Sequence, residues 1–274
     1  MTYKRILTIQ DISCLGQCSM TIALPILSAC GHETCILPTA VLSTHTGGFG
    51  KPAVRQLADM IPEICRHWKS QNILFDAIYT GYLGSVEAVQ QTEKIAEEFL
   101  SPDGILIVDP AMADHGRLYS GLDQTYAQAM KDLCRKADLI LPNITEAAMF
   151  TGLPFEETVT KEYIDQLLLK LPHPCVVLTG VGFEEDQTGA AIVRNGICRN
   201  YFHKKFPQSF HGTGDLFASC LTGVLLRDIP LEEAVKIAAD TVCLALQNTT
   251  ENPAHWYGVK FETVIPDLLK MLER

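Results

Sequence analysis

With 274 residues, 47% of them apolar, and a formal net charge of −10 from 22 basic and 32 acidic side chains, the chain has ample material for a core and no electrostatic basis for holding a polyanion. No run of five or more Lys/Arg occurs, so nucleic acid and anionic membrane are excluded as expected partners. No segment approaches the ~18 uninterrupted apolar residues of a membrane span, the apolar stretch 6–9 is too short for a signal peptide, and ten cysteines without a C-x-x-C pair read as reduced thiols, so a soluble, cytoplasmic protein is expected.

Taken in chain order, short β-rich runs alternate with helical segments. A strand at 5–9 precedes a helix over 18–30; a strand at 34–38 precedes a helix over 51–68; a strand at 77–79 precedes a helix over 86–100. The alternation continues with a strand at 105–108, helix 122–136, strand 139–141, helix 146–151, strand 175–179 and a hairpin-like pair at 189–193 and 197–202. Helices over 216–226, 231–246 and 261–272 complete the pattern. Near-continuous apolar strands separated by amphipathic helices predict a doubly wound α/β fold, a mostly parallel sheet with helices on both faces. No Pro/Gly/Ser-rich linker and no repeat interrupts it, so one domain over 1–274 is expected. In such sheets ligands bind beyond the carboxyl ends of the strands, which singles out the polar residues that follow each strand.

The first strand ends in Gln10-Asp11-Ile12-Ser13. The segment 42–50 follows the second, with three glycines for backbone freedom and Ser43, Thr44, His45 and Thr46 as short donors and acceptors suited to a small polar heterocycle. Glycines on both sides of Tyr82 favour an exposed loop position over plain core. Asp109, ending a buried strand, needs a positive partner. A spacing of three puts Asn143 and Glu146 on one face of a helix, where an amide oxygen and a carboxylate are the hard ligands Mg²⁺ prefers. Glycines at 212 and 214 let the backbone direct N–H groups into a concavity at a helix N-terminus, an anion hole. Asp215 then follows, stabilised as the anion by the helix dipole and placed to accept the proton of a hydroxyl that attacks a phosphoryl group. Taken singly, each motif has a plainer reading: Asp215 as a helix cap, His45 as a structural histidine, Ser13 as a turn residue, Lys204-Lys205 as a solvated pair.

Together the clusters resemble, over nearly the whole chain, the pyridoxal kinase branch of the ribokinase-like small-molecule kinases. Gly212–Asp215 is similar to that superfamily's G-[AT]-G-D. The stretch 43–50 resembles S-x-H-T-G-[YF]-G with one extra residue, 80–82 matches T-G-Y, 108–114 resembles V-D-P-[VA]-M-[GA]-D, and 141–146 resembles T-P-N-x-x-E. The resemblance implies ATP-dependent phosphorylation of the 5′-hydroxymethyl group of pyridoxal, pyridoxine or pyridoxamine, a vitamin B6 salvage step. Asp215 is then the general base, with the backbone of Gly212, Thr213 and Gly214 as the anion hole. Ser13, His45, Thr46 and Tyr82 fall to the vitamin, and Asp109, Asn143, Thr179, Gly212 and Gly214 to ATP. Mg²⁺ falls to Glu146 and Asp109.

The same resemblance implies a mobile lid over 113–121, an adenine pocket closed by a loop at 247–253, Lys204-Lys205 near ATP, and a homodimer. Leu141 stands where the family generally has the Thr of a monovalent-cation site, which leaves K⁺ dependence open. Two rivals remain: a hydroxymethylpyrimidine kinase of thiamine synthesis, with the same fold and anion hole, and a non-catalytic pyridoxal-phosphate-binding protein, which would have no use for a base at 215. Neither G-x-x-x-x-G-K-[ST] nor a G-x-G-x-x-G after the first strand occurs, which disfavours Walker-type NTPases and dinucleotide enzymes.

Overall fold

The computed structural model describes residues 3–171, 173–208, 210–250 and 254–273. In chain order the strands are β1 (Arg5–Ser13), β2 (Glu33–Leu42), β3 (Val54–Gln56), β4 (Phe75–Thr80), β5 (Leu100–Val108), β6 (Ala113–Asp114), β7 (Arg117–Leu118), β8 (Leu139–Ile140), β9 (Cys175–Thr179), β10 (Gln187–Arg194) and β11 (Ile197–Lys204). The helices are α1 (Met20–Ala29), α2 (Ile61–Ser70), α3 (Val86–Phe99), α4 (Gln124–Lys136), α5 (Ile144–Thr151), α6 (Lys161–Lys170), α7 (Thr213–Leu225), α8 (Leu231–Thr250) and, after a 3₁₀ turn at Phe261–Val264, α9 (Ile265–Leu272).

Nine strands form one sheet in the order β11-β10-β9-β8-β5-β4-β1-β2-β3, while β6 and β7 form a small hairpin of their own. The six central strands β9, β8, β5, β4, β1 and β2 are parallel. Antiparallel strands close both edges, β3 against β2 and the β10–β11 hairpin against β9. The chain steps from β1 outward to β2 and then returns to β4 on the other side of β1, so the progression reverses between β1 and β4. At such a switch point the connections leave in opposite directions and open a crevice.

Alternation along the strands explains why they read as unbroken apolar runs. Ile6, Tyr79, Ile107 and Val177 pack with α1, α7, α8 and α9 on one face. Leu7, Ile78, Leu106 and Val176 pack with the helices of the other face, against Ile61, Val89, Phe99, Met130, Leu133 and Ile164. Each fully buried Leu, Ile or Phe stabilises by about 1.5–3 kcal/mol relative to exposure, so both faces are paid in apolar area.

The expected helix over 51–68 is corrected. Pro52 and Pro62 restrict helix formation at either end of the first half; residues 54–56 instead extend the sheet by pairing with Ala40–Leu42, and the helix begins only at Ile61 with Pro62 in its first turn. Helix α6 was not foreseen; Thr160 caps it by accepting the Tyr163 N–H at 3.1 Å while Tyr163, Ile164 and Leu167 are buried. The supposed loop at 247–253 is also corrected in part. Residues 247–250 are the last turn of α8, where Thr249 Oγ1 donates to the Ala245 carbonyl, and 251–253 lie outside the described residues. All ten cysteines are free thiols, and among the described residues no helix is long and apolar enough to cross a membrane.

Candidate active site

The head of α7 is built around a glycine that nothing else can replace. Gly212 has φ +82°, and a β-carbon on it would stand 2.1 Å from the Gln17 carbonyl oxygen and 2.9 Å from Ile22 Cδ1. The first intrahelical hydrogen bond runs from the Leu216 N–H to the Gly212 carbonyl at 2.9 Å. The amides of Thr213, Gly214 and Asp215 therefore head the helix without intrahelical acceptors, and Gly212 as N-cap has no side chain to cover them. Nothing lies within 4 Å of where a Gly214 β-carbon would stand. Thr213 turns its hydroxyl away, donating to the Phe210 carbonyl at 3.2 Å.

Asp215 sits on this first turn. Its carboxyl is pushed up to about 6, first by burial and then by the charge of Asp11, against the opposing effect of the Ser19 backbone amide. The helix dipole was expected to hold it low; desolvation outweighs that contribution. The group is still ionised at neutral pH and is closer to the proton-accepting range than an ordinary aspartate.

Two further carboxylates lie nearby: Asp109, which feels the charge of Asp215, and Glu146, which acts on Asp109. Asp109 directly follows β5, with Oδ1 accepting the Ala111 N–H at 3.2 Å, and its pKa lies well above the usual carboxylate range through burial, then Glu146, then Asp215. Glu146, 1% exposed, forms a capping box with Asn143 at the start of α5. Glu146 Oε1 accepts from the Met112 and Ala113 N–H groups at 2.9 and 3.4 Å, and Oε2 accepts from the Asn143 N–H at 2.9 Å. Asn143 Oδ1 accepts the Glu146 N–H at 3.0 Å, and Nδ2 donates to the Ala113 carbonyl at 2.8 Å. This pair clasps the 109–113 turn onto α5, and burial pushes Glu146 up to about 7.

Among the described residues no group of three or more His, Cys, Asp or Glu forms a ready-made metal cage. Asp109 instead feels the charges of both Glu146 and Asp215, and no cationic side chain acts on it. That fits a divalent cation that completes its shell with waters and phosphate oxygens. Three backbone donors engage Glu146, so Asp109 holds the less committed carboxylate of the two. Leu141, 4% exposed, offers no side-chain oxygen; its N–H joins the Val108 carbonyl at 2.9 Å.

On the other side of Asp215 lie the ends of β1 and β4 and the loop 43–50. Ser13 is buried and donates its hydroxyl to Asp11 Oδ2 at 3.2 Å. His45 uses both ring nitrogens on backbone: Nδ1 accepts the Gly47 N–H at 2.9 Å, which leaves Nε2 to donate to the Tyr257 carbonyl at 3.0 Å. Its ring packs 4.6 Å from that of His211, the residue preceding the anion hole, and 5.1 Å from Phe49, which in turn lies 4.7 Å from Trp256. Thr46 is exposed on the same loop. Tyr82 is half-buried after β4, 6.5 Å from Tyr119 of the 113–121 segment. That segment is the β6–β7 hairpin, held to α5 by the Gly116 N–H on Thr145 Oγ1 at 3.1 Å.

Away from the 43–50 loop, Thr179 bridges to Asn143 at the end of β9. At the end of β11 a cavity of about 400 Å³ is lined by Lys204, Lys205 and Phe206 and by Asp240, Cys243 and Gln247 on α8. The structure thus brings Asp109, Asn143, Glu146, Thr179, Asp215 and the 212–214 backbone to one end of the sheet, with His45 and Tyr82 at its margin. Sequence reasoning passed over Asp11, although Gln10-Asp11 stood at the strand end, and it missed His211 and Trp256, whose contacts with 45–49 span some two hundred positions of chain and leave no local signal.

A mostly parallel central sheet in this order, with helices on both faces, is a ribokinase-like fold. The chain belongs to the Phosphomethylpyrimidine kinase family, whose family model matches residues 27–259. It is 29% identical over 182 residues to a hydroxymethylpyrimidine/phosphomethylpyrimidine kinase of Haemophilus influenzae, an alignment that covers 61% of this chain and 64% of that protein, so the chain spans under two thirds of that relative's length. Similarity to solved structures is more extensive. The crystal structure of pyridoxal kinase from Lactobacillus plantarum superposes with a TM-score of 0.90 at 34% identity, covering 99% of each chain. A phosphomethylpyrimidine kinase-like protein from Bacteroides thetaiotaomicron, crystallised with pyridoxal, gives a TM-score of 0.90 at 34% identity over 97% of this chain and 96% of that one.

Proposed function

We propose that the protein is an ATP-dependent kinase of the 5′-hydroxymethyl group of pyridoxal, pyridoxine or pyridoxamine, acting in vitamin B6 salvage. One observation carries this reading: a buried carboxyl with a pKa raised to about 6 stands on the first turn of a helix whose leading amides have no intrahelical acceptor and no side-chain cap. A base beside an anion hole is what transfer of a phosphoryl group to an alcohol requires. The whole-length likeness to a pyridoxal kinase supports the choice of acceptor.

In this mechanism the vitamin's hydroxyl oxygen forms a bond to the γ-phosphorus as the bond to the β,γ-bridging oxygen breaks, and Asp215 takes the hydroxyl proton. The amides of Thr213, Gly214 and Asp215 donate to the charge spread over the transferred group. Asp109 and Glu146 are the residues that would hold Mg²⁺, which would offset phosphate charge when bound. Asn143 and Thr179 flank the phosphates, and the cavity between Lys204–Phe206 and α8 takes the nucleoside. The β6–β7 hairpin, with Tyr119, closes over the phosphates and excludes water. His45 shapes the loop against which the vitamin ring lies, Ser13 orients Asp11, and Thr46 and Tyr82 line the ring's open edge.

A second reading has its own support. The matched family model and the Haemophilus relative point to hydroxymethylpyrimidine as acceptor. One assay separates them: MgATP offered with each B6 vitamer and with hydroxymethylpyrimidine. Specificity constants at least tenfold higher for a vitamer sustain the first reading, the reverse ranking establishes the second, and phosphorylation of none of them overturns both.

A further inference from the structure

We propose that Ser19 is a positioning residue for the base: its backbone, locked at positive φ by the bond from its own hydroxyl to Asp11, aims its N–H at the Asp215 carboxyl. This rests on the kinase reading above, in which Asp215 takes the acceptor's proton.

Ser19 is a serine where local chemistry asks for something else. It is the N-cap of α1 at φ 49°, ψ −128°, a region that glycine enters freely and a residue with a β-carbon enters at a cost. The other non-glycine residues with positive φ among the described residues, Asn72, His115, Asn195 and Asp228, are exposed and of the types that tolerate it, whereas Ser19 is 6% exposed. Serine is a favoured N-cap because its hydroxyl accepts a leading N–H of the helix. Here the side chain makes no such bond. Neither the turn nor the cap therefore accounts for a hydroxyl at this position.

The surroundings account for it. The Ser19 hydroxyl bonds the carboxyl of Asp11, which is 3% exposed and also takes the Ser13 hydroxyl on Oδ2 at 3.2 Å. The Ser19 carbonyl accepts the Ile22 and Ala23 N–H groups at 3.1 and 2.9 Å and starts α1, whose buried residues pack with those of α7. Side chain and carbonyl are thus both held, which fixes the direction of the N–H, and that N–H donates to the Asp215 carboxyl. Two residues earlier the same turn abuts the head of α7, through Gln17 against Gly212.

A strained backbone persists only where its surroundings over-determine it, and such residues gather where the strain serves a mechanism. A donor fixed on one carboxylate oxygen leaves the other to meet the acceptor hydroxyl, and a base held in place beforehand saves the cost of orienting it. The hydroxyl is therefore the tether and the amide the working group. A residue without the hydroxyl relaxes out of positive φ and swings the N–H away, unless it is glycine, which rests there unaided.

Ser19→Ala and Ser19→Gly separate tether from amide. Steady-state rates are measured with MgATP and whichever of pyridoxine and hydroxymethylpyrimidine the wild type phosphorylates, alongside thermal melts. Ser19→Ala is expected to lose about 10- to 100-fold in kcat, as when a hydrogen bond to a charged group is removed, with KM for ATP near normal. Ser19→Gly is expected to keep kcat within about threefold of the wild type and to melt about 2–4 °C above Ser19→Ala, since glycine carries no strain there. In Asp215→Asn, where no base is left to aim, adding Ser19→Ala should cost less than about threefold. A merely structural serine would lose rate equally in both backgrounds and leave glycine no better than alanine; either result overturns the proposal. A wild type that phosphorylates neither acceptor overturns the kinase reading and this proposal together, whereas an active wild type with normal kcat in Ser19→Ala overturns this proposal alone.

Discussion

The carbonyl oxygen of Gln17 stands 2.1 Å from the place a β-carbon on Gly212 would occupy. The turn before α1 thus braces the head of α7 directly, and Gly212 is fixed by sterics as well as by its φ of +82°. Gly214, two residues on, has no neighbour within 4 Å of its missing β-carbon. Gly212→Ala is expected to lower the melting temperature and to reduce turnover by a factor on the order of 10² or more, the cost of losing an oxyanion donor. Gly214→Ala is expected to melt close to the wild type, as an uncrowded surface change does, yet to lose turnover as strongly because its methyl enters the space in front of the amides. Thermal melts paired with steady-state rates distinguish the two; a Gly214→Ala enzyme with normal turnover would show that the phosphoryl group passes elsewhere.

Asp215→Asn is expected to bind ATP normally and to turn over slower by a factor on the order of 10² or more, as loss of a general base does. The base acts when ionised, and its pKa is raised to about 6. In the wild type kcat/KM should therefore fall as pH drops through about 6, while the residual rate of the variant should be flat over that range. A variant that keeps the same acid limb would assign that limb to another group.

Much of this was legible in the chain because it is local. Six parallel strands showed as apolar runs, since they are buried between two layers of helices, and the head of α7 showed as two glycines and an aspartate within four positions. The roles of His45 and Glu146 were less legible. Their types suggested contacts with ligand and metal, but His45 spends both ring nitrogens on backbone and Glu146 takes three backbone donors. These partners lie in other segments, and no periodicity announces them. Asp11 was overlooked for the opposite reason: its significance is burial without a cation, which only packing reveals.

The buried carboxyls also govern stability. Burial raises Glu146 from 4.5 to about 7 and Asp215 from 3.8 to about 6. A carboxyl with a higher pKa folded than unfolded favours folding in its protonated form, so its contribution is complete below the unfolded value and is lost as pH rises through the folded value. The ligand-free protein is expected to lose melting temperature between about pH 5 and 7.5, and MgATP to restore most at the upper end, where these groups are charged. Glu146→Gln, neutral throughout, should flatten the slope. A slope unchanged by that substitution would mean that Glu146 titrates alike in both states.

His45 supplies the last test, because its role is to hold two loops together. The ring accepts from Gly47 and donates to the Tyr257 carbonyl, tying 43–50 to the segment that carries Trp256, and burial lowers its pKa so that the neutral tautomer persists. Each such hydrogen bond contributes roughly 0.5–1.5 kcal/mol net, so His45→Ala should raise KM for the vitamin by about 5- to 100-fold. KM for ATP should stay near normal, and kcat should fall by less than in Asp215→Asn. Limited proteolysis should cut the variant faster within 43–50, since loops that lose their anchors open more often. If kcat collapses while KM for the vitamin holds, His45 contacts the reacting atoms, and the loop-anchoring role fails.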